Sequence, residues 1–286
     1  MRQLIVNKNP DKKGLVIIEG RDYHYLRQVL RVKAGDMVNL RLSDGTLKNS
    51  TVCKIDDSGK KITLQVCASL RQAQGPQDAQ EPQDVIASEE RQSTATIEYS
   101  LFQFIPKPQK LELIVRQATE CGVKNIIPVI SEYTQKGNIE ALKGSKLERL
   151  QKIVREARQQ SGSPTDTTVF EPVTVEQAVE LWNKMKEKAG GQEKAAGFVL
   201  SEREVAHEDA FGPFDRLRDH NALSDHNGNM AVAIFCGNEG GISPDELELL
   251  VKKALLRPVH FSVNILRCET AALYGIAAIQ TAISGI

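Results

Sequence analysis

Two residues of opposite charge, Arg267 and Glu269, stand between an apolar run and an Ala-rich segment in VNILRCETAALYGIAAIQTAI. An arginine so placed can steady negative charge developing on a substrate, and a neighbouring glutamate can orient it or cap the helix that follows. Upstream, Gly237-Asn238-Glu239-Gly240-Gly241 leaves the apolar stretch AVAIFC with three glycines in five residues. Such a turn lets backbone amides approach a ligand with no Cβ in the way and tolerates positive φ. Each feature also has a plainer reading: the glycines as a turn only, the charged pair as a salt bridge or a cap.

The elements around them decide whether the two can meet. AVAIFC is apolar throughout, as expected of a strand covered on both faces. Ser243-Pro244-Asp245-Glu246 then carries a helix start, with Ser243 as cap, Pro244 at the first helical position and Glu246 closing a capping box. RPVHFS reads as a further strand, delivering Arg267 and Glu269 to the head of a last helix. Open α/β sheets bind ligands beyond the carboxyl ends of their strands, so two such loops on neighbouring strand ends would form a pocket.

Further upstream the same grammar repeats. IEYSLFQFI, NIIPVI, TTVFEPV and AAGFVLSE read as strands. KLELIVRQATECGV, ended by Gly122, LERLQKIVREARQQSG, and TVEQAVELWNKMKEKAGG, capped by Thr174 and stopped by Gly190, read as helices. This alternation predicts an α/β domain over 96–286 with a mostly parallel sheet, interrupted at 203–230 by a polar inserted loop. Residues 71–95 are rich in Gln, Asp, Glu, Pro and Ala and poor in aromatic and branched residues, as expected of a linker. Residues 1–70 alternate as the short strands LIVN, GLVIIE, DMVNLRL, GTLKNSTVCKI and KKITLQVC, which predicts a small β-barrel with one short helix over Asp22–Val29. If that helix continues, Arg27 and Arg31 share a face near Arg21, His24 and Lys33. The face is either solvated or a phosphate-contacting patch.

At 286 residues and 41% hydrophobic content the chain can bury cores for two domains. Lys+Arg and Asp+Glu both total 37, so any nucleic-acid contact must come from local patches. Five cysteines without CxxC spacing argue against a structural zinc, and no metal is expected; they read as reduced thiols of a cytoplasmic protein, with no signal peptide or membrane span expected. Neither an early GxGxxG nor GxxxxGK[ST] occurs, which argues against dinucleotide and P-loop chemistry.

GNEGGISPDE followed by ILRCETAAL resembles the signature of the SPOUT RNA methyltransferases, specifically the RsmE family that methylates N3 of a uridine in small-subunit ribosomal RNA. HYLRQVLRVKAGD resembles that family's N-terminal PUA-like domain, KLELIVRQATECGV its first catalytic-domain helix, and ARQQSGSP its RNA-facing helix end. The resemblance implies a deep C-terminal trefoil knot, a rare exception to unknotted connections. It implies S-adenosylmethionine held by three loops, at Leu200 and Ser201; at Gly237, Asn238, Glu239, Gly240 and Gly241; and at Phe261, Ile265, Leu266 and Thr270. It further implies catalysis through Arg267 and Glu269, contacts to ribosomal RNA of the small subunit through Arg21, Arg27, Arg31, Lys33 and Gln160, and a homodimer. The sequence departs from the family at Asn238, where proline is usual, at Phe261-Ser262-Val263-Asn264 for Leu-Gly-x-Arg, at Cys268 for threonine, and at Tyr133 and Ser163 for arginines. The alternatives are a SPOUT methyltransferase acting on another RNA site or a ribose 2′ oxygen, and a non-catalytic RNA-binding or ribosome-assembly factor.

Overall fold

The computed structural model describes residues 3–6, 8–67, 97–140, 142, 144–202 and 230–284. The expected linker at 71–95, and the expected insertion at 203–230 apart from Met230, lie outside them. The chain divides into two compact units, 1–91 with 159–162, and 92–158 with 163–286.

In the first unit, β1 (Gln3–Ile5), β2 (Leu15–Glu19), β3 (Met37–Arg41), β4 (Leu47–Asp56) and β5 (Lys61–Val66) form a curled sheet in the order β1-β3-β4-β5-β2. β1 pairs with β3 in parallel and the other neighbours are antiparallel. The period-two alternation turns Val16, Ile18, Val38, Leu40, Ile62 and Leu64 into one core, which Leu26 completes. Helix α1 (Gly20–His24) begins two residues before the expected Asp22 and continues as a single π-helical stretch, Tyr25–Val29. The helix stops there because Arg31 takes a left-handed φ of 53° and Val32 turns back, its N–H donating to Leu26 O. Arg27 and Arg31 therefore do not share a helical face.

The second unit carries a wholly parallel sheet in the order β12-β10-β11-β6-β7-β8, with β9 also on β7. Its strands are β6 (Ile97–Phe104), β7 (Asn125–Ile130), β8 (Thr168–Val169), β9 (Val173–Thr174), β10 (Ala195–Leu200), β11 (Met230–Cys236) and β12 (Arg257–Val259). TTVFEPV thus gives two short strands rather than one; Pro172 between them has no N–H to offer a ladder. Consecutive residues of the central strands point to opposite faces. Leu101, Ile126, Phe198 and Ile234 pack on one side with α2 (Pro108–Glu120), α4 (Ser145–Ser161) and α7 (Cys268–Ser284). Phe102, Ile127, Val199 and Phe235 pack on the other with α5 (Val175–Ala189) and α6 (Pro244–Lys253). Phe102 and Phe235 stack there with centroids 4.2 Å apart. A one-turn helix, α3 (Lys136–Glu140), precedes α4.

Local chemistry fixes the helix ends. Thr174 with Gln177 opens α5 and Ser243 with Glu246 opens α6, both as complete capping boxes, and Gly190 closes α5 at φ 108°. No helix among the described residues is long and apolar enough to cross a membrane.

Candidate functional site

Because the sheet is parallel, every strand of the second unit ends on the same edge. The loops after β11 and β12 are not on neighbouring strands as the sequence suggested, since β10 lies between them. Its own exit, Leu200–Glu202, joins the two. Ser201 N donates to Val259 O at 2.9 Å, and the His260 ring nitrogen Nδ1 lies 3.3 Å from Ser201 O. On the other side, a Cβ on Gly241 would stand 3.1 Å from Glu202 Oε1. All three loops are contiguous along one edge.

The glycine turn is braced by its own polar side chains. Asn238 is buried, donates through Nδ2 to Ile105 O at 3.3 Å and Ser131 Oγ at 3.2 Å, and accepts from Gly240 N at 2.9 Å. Glu239 Oε1 accepts from Lys107 N at 3.1 Å, at the start of α2, where Lys107 supplies no side-chain cap of its own. A carboxylate beside an uncapped helix N-terminus meets both an orphan N–H and the positive end of the dipole. The glycines are required by crowding as well as by φ: a Cβ on Gly237 would fall 2.9 Å from Gly241 C, and one on Gly240 2.8 Å from Tyr133 Cβ. Gly241 itself has φ 77°.

The loop after β12 behaves differently. Phe261 packs edge-on against Tyr274, with centroids 4.8 Å apart. Val263 is 48% and Ile265 80% exposed, while Leu266 is half-buried and Thr270 exposed. Arg267 is exposed and its guanidinium has no ion-pair partner among the described residues. Its carbonyl instead accepts from Thr270 N and Ala271 N, starting α7.

Glu269 does not orient Arg267. Its Oε2 pairs with Lys110 Nζ at 3.2 Å, and Lys110 also reaches Glu239 Oε1 at 3.5 Å. Burial alone would raise the Glu269 carboxyl, but its own backbone amide, the Cys268 thiol and Lys110 together hold it below the usual carboxylate range. Burial, with a hydrogen bond to Glu269 second, pushes the Cys268 thiol up to about 12. Cys236 is driven higher, chiefly by burial. Both are inert thiols, and all five cysteines are free.

Two residues of this edge escaped the sequence reading. Lys110 carried no local mark, being one polar residue on an amphipathic helix. Gln103 did carry one, a lone amide inside the apolar run SLFQFI; fully buried, it donates through Nε2 to Phe104 O, Cys236 O and Gly237 O, tying β6 to the glycine turn.

In the first unit Arg27 is committed to Asp57, with Nη2 to Oδ2 at 2.8 Å and Nε to Oδ1 at 2.9 Å, and Tyr23 Oη donates to the same carboxylate at 2.6 Å. Arg21, Arg31 and Lys33 are exposed. Residues 159–162 fall in this unit, where Gln160 Nε2 donates to Tyr25 Oη at 2.9 Å. No cluster of His, Cys, Asp and Glu suited to a metal ion occurs among the described residues.

The chain resembles known proteins over most of its length. The chain is 28% identical over 258 residues to ribosomal RNA small subunit methyltransferase E of Rickettsia conorii, covering 90% of this chain and 85% of that protein. It is 25% identical over 279 residues to ribosomal RNA small subunit methyltransferase E 2 of Borreliella burgdorferi, covering 97% and 96%. A crystal structure of the Neisseria gonorrhoeae methyltransferase E bound to S-adenosyl methionine shares the fold, with a TM-score of 0.68 at 21% identity over 98% of this chain and 97% of that one. A family model described as an RNA methyltransferase domain matches residues 93–280, and the chain belongs to that family.

Proposed function

We propose that the protein transfers a methyl group from S-adenosylmethionine to N3 of a uridine in small-subunit ribosomal RNA. The observation that carries this reading is the state of Arg267: an exposed cation, unpaired among the described residues, on a contiguous three-loop edge where Glu269 is already satisfied by Lys110.

The edge suits the cofactor. With Asn238 buried in the scaffold and Glu239 engaged by Lys107 N and Lys110, the turn at Gly237–Gly241 offers main-chain groups, and the exposed Val263 and Ile265 offer apolar surface to a purine. Leu200–Ser201, Gly237–Gly241 and Phe261–Thr270 would hold it. Bound there, it supplies a methyl group already activated as a sulfonium.

Uridine N3 gives up its imide proton to solvent water as it is alkylated, and the charge left on the ring spreads to the flanking carbonyl oxygens. Arg267 stabilises that charge, while Glu269, held by Lys110, fixes the start of α7 and hence the place of Arg267. Much of the rate comes from holding the two reactants in line. The β11–β12 connection, which must cross β10, supports a C-terminal knot, and the five-stranded first unit supports a PUA-like RNA-binding domain presenting Arg21, Arg31 and Lys33. A homodimer acting in the cytoplasm completes the reading.

The test is calorimetric titration with S-adenosylmethionine, followed by methylation of small ribosomal subunits and mass mapping of their nucleosides. N3-methyluridine at one site is expected. Absence of cofactor binding would leave an RNA-binding or assembly factor, and a 2′-O-methyl product would move the chemistry to the ribose.

A further inference from the structure

Lys110 stands where three elements meet. It projects from the first turn of α2, and its ammonium lies between Glu239 of the glycine turn and Glu269 of α7, with Cys268 Sγ a further 3.9 Å contact. The Glu269 side chain is 16% exposed and that of Lys110 26%, so water screens this cluster less than an ordinary surface pair. Burial disfavours the charged ammonium, yet the hydrogen bond to Glu269 and the charges beside it outweigh that effect and raise the affinity of Lys110 for its proton. Glu239 is held from a second direction by Lys107 N, so both ends of the bridge rest on α2.

One carboxylate belongs to the glycine turn and the other to the first turn of α7, into which the loop after β12 leads, and no other cation bridges them among the described residues. Removing the ammonium would leave two negative groups facing each other across the gap. Their repulsion would push the glycine turn away from the start of α7.

We propose that Lys110 is a positioning residue of this site, an ionic clamp that sets the spacing between the turn Gly237–Gly241 and the start of α7. This rests on the reading of both loops as the cofactor site. The effect of Lys110 on the site runs through Glu239 and Glu269.

The experiment is calorimetric titration of the full chain with S-adenosylmethionine for the wild type, Lys110→Met, Lys110→Arg, and Lys110→Met combined with Glu239→Gln and Glu269→Gln. Hydrogen exchange of the amides in 237–241 and 267–271 is followed in parallel. Lys110→Met should weaken affinity roughly tenfold and speed exchange in both segments. Lys110→Arg should retain most of the affinity, since a guanidinium can bridge two carboxylates. The triple variant, freed of repulsion, should recover part of the loss. A folded Lys110→Met that binds as the wild type does would overturn the clamp, as would a loss that neither Lys110→Arg nor the triple variant mitigates. Failure of the wild type to bind would instead remove the cofactor reading on which the clamp rests.

Discussion

The turn after β11 and the loop after β12 meet along one edge and are built in opposite ways. In Gly237–Gly241 the polar side chains are committed to the scaffold: buried Asn238 ties the turn to the ends of β6 and β7, Glu239, though exposed, ties it to α2, and Gln103 holds its first carbonyl. With those side chains engaged, the groups of the turn left to meet a ligand are largely backbone. In 261–267 the side chains of Val263, Ile265 and Arg267 face solvent, and the cross-links among the described residues are few, chiefly the Phe261–Tyr274 ring contact and the turn closed by Val263 N on Phe261 O. One loop is a turn cross-linked through its side chains, and the other a set of presented side chains. That division suits a site that must grip a cofactor and act on a second molecule.

The largest effect that should separate the two loops is on rate. Arg267→Ala should slow single-turnover methylation of small ribosomal subunits by about two to three orders of magnitude. Arg267→Lys keeps the charge but loses the planar fork, so it should fall between the two. Next comes stability. Asn238→Ala removes a buried amide that serves Ile105 O, Gly240 N and Ser131 Oγ, the last keeping only Thr134 Oγ1, which should cost about 1–3 kcal/mol in denaturant unfolding.

Ile265→Ser should sharpen the contrast, changing unfolding stability by no more than about 0.5 kcal/mol because the side chain has little packing to lose. It should still weaken cofactor binding measurably in a titration. Smallest is the effect in the first unit, where Arg27 and Arg31 do different work. Arg27→Ala breaks the Asp57 pairing and should lower the thermal midpoint, whereas Arg31→Ala should leave it unchanged and reduce the salt dependence of RNA binding.

What the sequence made legible was chemistry confined to a few neighbouring residues. The Ser243/Glu246 capping box and the Thr174 cap, which Gln177 completes as a second box, each lie within four consecutive residues, and both form. The five strand segments of the first unit were marked by alternation against turn residues. Long-range partners were not legible. Nothing near Glu269 points to Lys110, and nothing in the loops themselves says that β10 lies between β11 and β12, because strand order is set by how whole faces pack. The helix through Arg27 stops early for a related reason: Leu26 and Val32 are both drawn into the core of the first unit, so Arg31 is turned out at a left-handed φ. The lone Gln103 was a visible exception, a polar residue in an apolar strand whose burial demanded partners across the sheet.

The central claim is that the turn after β11 grips through its backbone while the loop after β12 acts through its side chains. Its most direct test is one calorimetric series, titrating S-adenosylmethionine into the wild type, Gly237→Ala and Arg267→Ala. A methyl group at position 237 must displace the Gly241 backbone, so Gly237→Ala should lose cofactor binding while remaining folded; Arg267→Ala should bind as the wild type does. The reverse pattern, with Gly237→Ala binding normally and Arg267→Ala failing to bind, would contradict the account.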